Sequence, residues 1–303
     1  MQQQILVSVA LCTYNGARHL NEQIQSILDQ TYNNIELVIV DDCSSDDSLA
    51  IIQKFAMADE RIKYFVNTEN LGYNKNFEKA LGLVTGDFIA ISDQDDIWES
   101  EKINQLMNAI GDNWLIFSNS VRVLDDGNLT GGKLLNDFRF GNWDFKSILL
   151  ENYVTGHTCL MSRLLLPHIL PFPQIGYYDW WMGFVGLYHH KLTYLDRELT
   201  QYRIHERSVT QTLIRKNAQI FKQVDFNNTL IMLSHFANYR PLATADKQLI
   251  IHLRKALEKK ITTSANPSLI ILICKHYQSL FPRLKKRSFF SKANFAIRYS
   301  KKL

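Results

Sequence analysis

The sequence predicts an α/β fold: a mostly parallel sheet flanked by helices, followed by a helical C-terminal extension. Three observations carry this. Short apolar runs and helical patterns alternate from residue 5 to about residue 120, the order that builds parallel strands joined by crossover helices. Polar residues collect at the ends of four successive apolar runs, where such sheets bind ligands. Beyond residue 215 only helical spacing remains.

Residues 6–12 are an apolar run read as a buried strand. Residues 17–30 place Leu20, Ile24, Ile27 and Leu28 at helical spacing. Residues 35–40 read as a second buried strand. Ser44 or Ser45 is placed to cap a helix over 46–58, whose opening acids suit its dipole. A third strand over 61–66, a helix over 74–83 and a fourth strand over 87–92 follow. Ser100 is placed to cap a helix over 101–110, and 114–119 is again strand-like. From 120 to 210 the pattern is less regular and richer in aromatics. Helices are expected over 217–237 and 245–261, then a break at 262–267 and a basic tail.

The 303 residues, 46% hydrophobic, suit one large domain or a domain with an appendage. Cys12, Cys43, Cys159 and Cys274 are scattered without a CxxC pair, which argues against a zinc site or a disulfide framework and fits a reducing cytoplasmic setting. The N-terminus shows no signal-peptide pattern, and no apolar run reaches the length of a spanning helix. No acidic residue follows Glu258, whereas 11 Lys and Arg do. Taken from the overall +4, these leave residues 1–258 at −7, so the tail's partner must be anionic.

The strongest chemical signal is the run Asp93, Gln94, Asp95, Asp96, Ile97, Trp98 at the end of the fourth apolar strand. Three carboxylates at the mouth of a sheet are unfavourable unless a cation or hydrogen-bond donors offset them. An Asp-x-Asp there presents hard oxygens to Mg²⁺ or Mn²⁺, and such a metal can hold a diphosphate. The plain alternative is a polar loop with exposed acids. The other strand ends carry Thr13, Tyr14 and Asn15, then Asp41 and Asp42, then Asn67 to Asn70.

These segments resemble the nucleotide-sugar-dependent glycosyltransferases of family 2, with the GT-A fold. The resemblance rests on Val7 to Asn15, Ser26 to Tyr32, Ile35 to Asp46, Asn70-Leu71-Gly72 and Ser92 to Trp98, in that order, and covers about residues 5–210. The acid run, with Tyr178-Asp179-Trp180-Trp181 and Tyr202-Arg203-Ile204-His205, is similar to a rhamnosyltransferase-like branch that often builds bacterial surface polysaccharides. Two departures are Ala10-Leu11-Cys12, where many relatives have proline, and Cys43, where glycine is common. The implied division is a catalytic domain over 1–212, with a nucleotide-binding half 1–120 and an acceptor half 121–212, then a helical extension over 213–303.

The resemblance implies roles. Thr13, Tyr14 and Asn15 lie at the nucleotide; Asp42, or its neighbour Asp41, accepts from the imide N–H of uracil or thymine, the alternative being a helix cap. Asp95 is the expected metal ligand, with Asp93 near the ribose or a metal-bound water, Gln94 beside the donor, and Asp96 orienting the loop. Asn70 is expected at the donor, and Lys75 and Asn76 after its turn near the donor phosphates, the alternative for these two being a solvated helix face. Asp179 is the expected general base for an in-line, inverting displacement by an acceptor hydroxyl. Trp180 and Trp181 are expected to stack on sugar faces, and Gly156 and His157 to contact the transferred sugar. Arg203 is expected to pair with the diphosphate and His205 to join the metal. The expected activity is metal-dependent transfer, with Mn²⁺ or Mg²⁺, of rhamnose from dTDP-rhamnose, the second donors being UDP-hexose or UDP-N-acetylhexosamine. A lipid-linked or oligosaccharide acceptor is expected, and the rival of another class is a non-catalytic nucleotide-sugar or glycan-binding scaffold.

Gly127 to Lys133 fits a phosphate-loop spacing, but Leu134 replaces the Ser/Thr that would touch Mg²⁺, so it reads as a loop. In the tail, Phe281, Leu284, Phe289, Phe290, Phe295, Ile297 and Tyr299 interleave with cations. That composition suits an anionic membrane surface rather than nucleic acid.

Overall fold

A computed structural model describes residues 5–204, 218–260, 266–284 and 288–302. The chain forms two compact units that interleave along the sequence. The first comprises Met1–Asp137, Val154–Gln174 and His189–His205, and the second Phe138–Tyr153, Ile175–Tyr188 and Glu206–Leu303.

The first unit is built on one mixed sheet. Its strands are β1 (Val7–Thr13), β2 (Ile35–Asp41), β3 (Ile62–Val66), β4 (Phe88–Ser92), β5 (Ile97–Trp98), β6 (Leu115–Leu124), β7 (Leu129–Lys133), β8 (Cys159–Ser162) and β9 (Leu192–Ile204). The order is β3-β2-β1-β4-β8-β6-β9-β5, with β7 on β6. The first four strands are parallel; β8 pairs antiparallel with β4 and β6, whereas β6 and β9 are parallel. Every residue of β1 and β2 is buried, as a sheet covered on both faces requires.

Helices α1 (Ala17–Leu28), α2 (Ser48–Ala58), α3 (Tyr73–Leu83), α4 (Lys102–Ile110) and the short α5 (Leu166–Ile169) connect the strands. Leu20, Ile24 and Ile27 of α1, Ile52 of α2, and Ile103 and Leu106 of α4 join Val9, Leu11, Leu37 and Ile39 in one core. Strand alternation turns Ala10, Val38 and Val40 to the opposite face. The chain runs β1 to β2 to β3 on one side and then places β4 on the other side of β1. This reversal opens a crevice at the carboxyl end of β1.

Both expected serine caps fail. The α2 terminus uses Asp46, whose carboxylate accepts from Ser48 N and Oγ, while Ser44 N donates to Asp41. At α4 there is no side-chain cap; Lys102 N donates to Glu99 O, and Ser100 O accepts from Thr31 N. Gly127 to Lys133 forms a turn and the edge strand β7, and Lys133 pairs with Glu198.

The second unit is helical: α6 (Tyr178–Tyr188), α7 (Ala218–Ala237), α8 (Thr244–Lys260), α9 (Pro267–Leu280) and α10 (Phe289–Lys302). Its core is aromatic, with Phe184 stacked on Phe236 at 4.2 Å between ring centroids. Within the basic tail the described residues include the helices α9 and α10. Asn266 caps α9 by accepting from Leu269 N, and Pro267 sits at the first turn.

Glu36 of β2 links three strands and a loop. It accepts from Ser8 Oγ, Thr85 N, Thr85 Oγ1 and Lys63 Nζ. Burial pushes its carboxyl up, but these donors prevail and hold it at about 2. A carboxyl depressed from 4.5 in the unfolded chain stabilises the fold above that pH and ceases to as pH falls towards about 2. The stability difference between wild type and Glu36→Gln should therefore shrink by about 2 kcal/mol from pH 7 to pH 3 in urea unfolding. An equal difference at both pH values would contradict this assignment.

Candidate active site

The turn after β1 is fastened to the acid loop after β4 by a single side chain. Gln94 Oε1 accepts from Thr13 Oγ1 at 2.6 Å and Tyr14 N at 2.8 Å, and its Nε2 donates to Tyr14 O. A Cβ on Gly16 would lie 2.2 Å from Gln94 Oε1, so this crossing needs glycine. Asn15 adopts φ 49°, and its Oδ1 accepts from Ser45 N. Tyr14 is about half exposed above this frame, while Thr13 is buried. Gln94, expected beside the donor, thus has its amide engaged in joining two loops.

Asp41 and Asp42 are both buried at the end of β2. Asp42 Oδ1 accepts from Asn67 Nδ2 at 2.6 Å and Leu71 N at 2.8 Å, and its Oδ2 accepts from Gly72 N at 2.9 Å. It therefore shapes the turn that contains Asn70, whose Nδ2 donates to Asp42 O. Asp41 Oδ2 accepts from Ser44 N, whereas its buried Oδ1 has no partner. Cys43 takes φ 63°, the left-handed region that explains why glycine is common there. Lys75 is exposed on the first turn of α3.

The acids after β4 separate by burial. Asp96 is 1% exposed and Asp93 side chain is 40% exposed. His157 Nδ1 lies 3.8 Å from both Asp93 Oδ2 and Asp96 Oδ2, and the three ligand atoms fall within 4.8 Å of one another. Nε2 of His157 pairs with Ser120 Oγ at 3.1 Å, and the ring stacks on Tyr202 with centroids 5.1 Å apart. Burial, and then the Lys102 charge, push this imidazole down to about 3, so it is neutral at physiological pH. Its Nδ1 is too far from either carboxylate to donate to it. The proton is accordingly assigned to Nε2, which leaves the Nδ1 lone pair facing two carboxylates.

Asp96 Oδ2 is buried without a hydrogen-bond partner. Burial first, then the charges of Asp95 and Asp93, push its carboxyl well above the usual range. Three converging lone pairs are what a divalent cation requires. Two ligands of one ion stand about 3 Å apart in cis and about 4.2 Å in trans at typical bond lengths, and 3.8 Å falls between. One imidazole with two carboxylates suits Mn²⁺ better than Mg²⁺.

This set differs from the sequence expectation. Asp93 is common to both; the cluster adds Asp96 and His157, whereas the sequence pointed to Asp95, with His205 joining it. The backbone oxygen of Asp95 accepts from Arg203 Nε, and His205 lies outside the described residues. Arg203 is buried in β9, where Glu22 and the carbonyls of Asp95 and Asp125 engage its guanidinium. It braces the acid loop. His157 and Gly156 are buried in a short 3-10 turn before β8.

Two residues escaped the sequence reading. Lys102 is completely buried, donating to His157 O at 2.6 Å and Thr200 Oγ1 at 3.0 Å, 3.6 Å from the centroid of the Trp98 ring. Burial brings it down to about 7 against the raising charges of Asp96, Cys159 and Asp93. Its signal was position: Lys102 lies one turn before the core residue Leu106, on the same helix face. Ser120, the His157 partner, carried no motif.

In the second unit, Asp179 is partly exposed at the start of α6. Its Oδ1 accepts from Trp180 N at 2.6 Å and Asn152 Nδ2 at 3.2 Å. The stacking role expected of Trp180 and Trp181 is corrected. Both are core residues, 3% and 8% exposed; Trp180 Nε1 donates to Ile148 O, and Trp181 stacks on Phe236.

The model of glycosyl transferase family 2 matches residues 8–170, more than half of the chain. A Haemophilus influenzae protein named only as an uncharacterized glycosyltransferase is 35% identical over 108 residues, covering 36% of this chain but 33% of its own length. The GalNAc(5)-diNAcBac-PP-undecaprenol beta-1,3-glucosyltransferase of Campylobacter jejuni is 27% identical over 291 residues, 88% of this chain and 92% of that protein. Two solved structures share the fold at 17% identity. S. aureus TarS 1-349 in complex with UDP-GlcNAc has a TM-score of 0.59 and covers 98% of this chain and 90% of its own. The mannosyltransferase PcManGT from Pyrobaculum calidifontis, with GDP-Man and Mn²⁺, has a TM-score of 0.56 and covers 99% and 89%.

Asp42→Asn would set an amide against the N–H groups that the carboxylate now receives. It should cost about 1–3 kcal/mol in urea unfolding. A neutral result would show that the turn over residues 70–72 does not depend on this acid.

Proposed function

Because the chain belongs to glycosyl transferase family 2, we propose that it transfers a sugar from a nucleoside diphosphate donor to a glycan acceptor with inversion. The observation that carries this reading is the Asp93–Asp96–His157 cluster at the carboxyl edge of the sheet, with its unpartnered Asp96 oxygen. These three residues would hold Mn²⁺ or Mg²⁺, which when bound neutralises charge on the departing diphosphate. The Mn²⁺ in the Pyrobaculum neighbour supports that choice.

The chain's own residues divide the remaining work. Tyr14 stacks on the base from the turn that Gln94 holds. Asp42 Oδ2 accepts from Gly72 N and retains a lone pair for the imide N–H of uracil or thymine. Lys75 and Asn70 stand beside the donor phosphates. Asp179 takes the proton from the attacking acceptor hydroxyl, and the donors Trp180 N and Asn152 Nδ2 orient its carboxyl.

The rhamnosyltransferase-like motifs favour dTDP-rhamnose as donor. UDP-N-acetylhexosamine is the second candidate, supported by the UDP-GlcNAc complex of TarS. The Campylobacter relative, named for an undecaprenol-linked substrate, supports a lipid-linked acceptor in bacterial polysaccharide synthesis, and such an acceptor would place the protein at the cytoplasmic membrane face.

The C-terminal helices fit that location. Phe281, Phe295 and Tyr299 pack on one another and on Tyr277, while Phe289 and Phe290 are 71% and 83% exposed. With the cations of the tail they form a surface for an anionic bilayer. No helix among the described residues is long and apolar enough to cross a membrane.

Nucleoside diphosphate release from a panel of nucleotide sugars with Mn²⁺ tests the transfer reading. One donor should be turned over; Asp96→Asn should abolish Mn²⁺ dependence, and Asp179→Asn should lower kcat by about 10²–10⁴ with donor affinity kept. Donor binding without turnover, even with candidate lipid-linked acceptors, would favour a non-catalytic scaffold. Separately, Phe289→Ser with Phe290→Ser should lower sedimentation with phosphatidylglycerol vesicles at least about tenfold. Unchanged sedimentation would discard the membrane surface.

A further inference from the structure

Lys102 buries an ammonium whose two hydrogen-bond acceptors, His157 O and Thr200 Oγ1, are both neutral. A buried cation is strongly unfavourable without nearby negative charge. The same region buries the complementary problem, the Asp96 carboxylate with an unpartnered Oδ2. His157 connects the two. Its carbonyl accepts from Lys102, and its Nδ1 lies 3.8 Å from Asp96 Oδ2. The Trp98 ring faces the ammonium from 3.6 Å, a cation–π contact that fixes the group and keeps water away.

We propose that Lys102 is the resident counter-cation of the Asp93–Asp96–His157 cluster, offsetting its carboxylates when no divalent cation is bound and holding His157 in place for one. The inference rests on the reading of that cluster as a cation site. It also assigns a function to Trp98, the last residue of the acid run. Lysine and metal would act on the same carboxylates, so removing one should increase dependence on the other.

A double-mutant cycle on the full chain in EDTA tests this by thermal unfolding. Lys102→Met should lower Tm by about 5–10 °C, and adding Asp96→Asn should recover at least about half of that loss, because no buried charge is then left uncompensated. Mn²⁺ should raise the Tm of Lys102→Met more than that of wild type. Leu106→Ala on the same helix should lose the same Tm with and without Mn²⁺, as a packing defect does. Should Lys102→Met fold only with Mn²⁺ or with Asp96→Asn, the proposal is supported. Additive losses in EDTA would overturn it whatever the metal does, as would a variant rescued by neither change. Equal Mn²⁺ shifts in wild type and Lys102→Met would also overturn it. Mn²⁺ leaving every protein unchanged would instead remove the cation-site reading beneath it.

Discussion

Asp96 is a carboxylate placed where water cannot reach it and where no N–H meets its outer oxygen. Much of the first unit is arranged around that condition. β4 delivers the acid run to the sheet edge, β8 follows His157, and β9 brings Thr200 and Arg203 to the same place. Lys102 enters from the first turn of α4, and Trp98 from β5 lies beneath it. A buried carboxyl of this kind stays protonated unless positive charge is close, and its ionised form is tolerated only beside a cation. The second carboxylate and the imidazole lone pair on the open side leave room for a cation whose charge is supplied by solution.

At the carboxyl edge of the sheet, polar side chains hold backbone segments together. Gln94 joins the loop after β1 to the loop after β4, and Asp42 draws the turn over residues 70–72 towards β2. Each connects segments that are far apart in sequence. Fixing such loops before a ligand arrives lowers the ordering cost of binding. This explains why two side chains read as ligand contacts turn out to be deeply engaged within the protein.

The alternation of strand and helix was legible because β1 and β2 are buried on both faces and read as continuous apolar runs, while α1 and α4 repeat apolar residues at helical spacing. The crevice followed, since the polar residues after those strands lie at one sheet edge. Identities within the acid run were less legible. Asp95 and Asp96 are adjacent carboxylates in sequence, and only the direction of the chain after β4 decides which one is buried. His157 was named for the sugar and Lys102 showed only as a lysine on the core face of its helix; that both meet the acid run is set by tertiary packing. The tryptophans at 180 and 181 misled for a similar reason: an aromatic pair beside an acid fits a sugar platform and a core equally well until Phe236 of α7 is seen stacked on Trp181. The serine caps failed because Asp46 supplied a nearer acceptor at α2 and a backbone bond to Glu99 sufficed at α4.

Divalent-cation binding by Asp93, Asp96 and His157 together is the proposal on which the proposed chemistry rests. Anomalous scattering from crystals grown with Mn²⁺ and a nucleoside diphosphate tests it most directly. A manganese peak in contact with Asp93 Oδ2, Asp96 Oδ2 and His157 Nδ1 is expected. A peak held by Asp95, with Asp96 and His157 outside its coordination sphere, would contradict it.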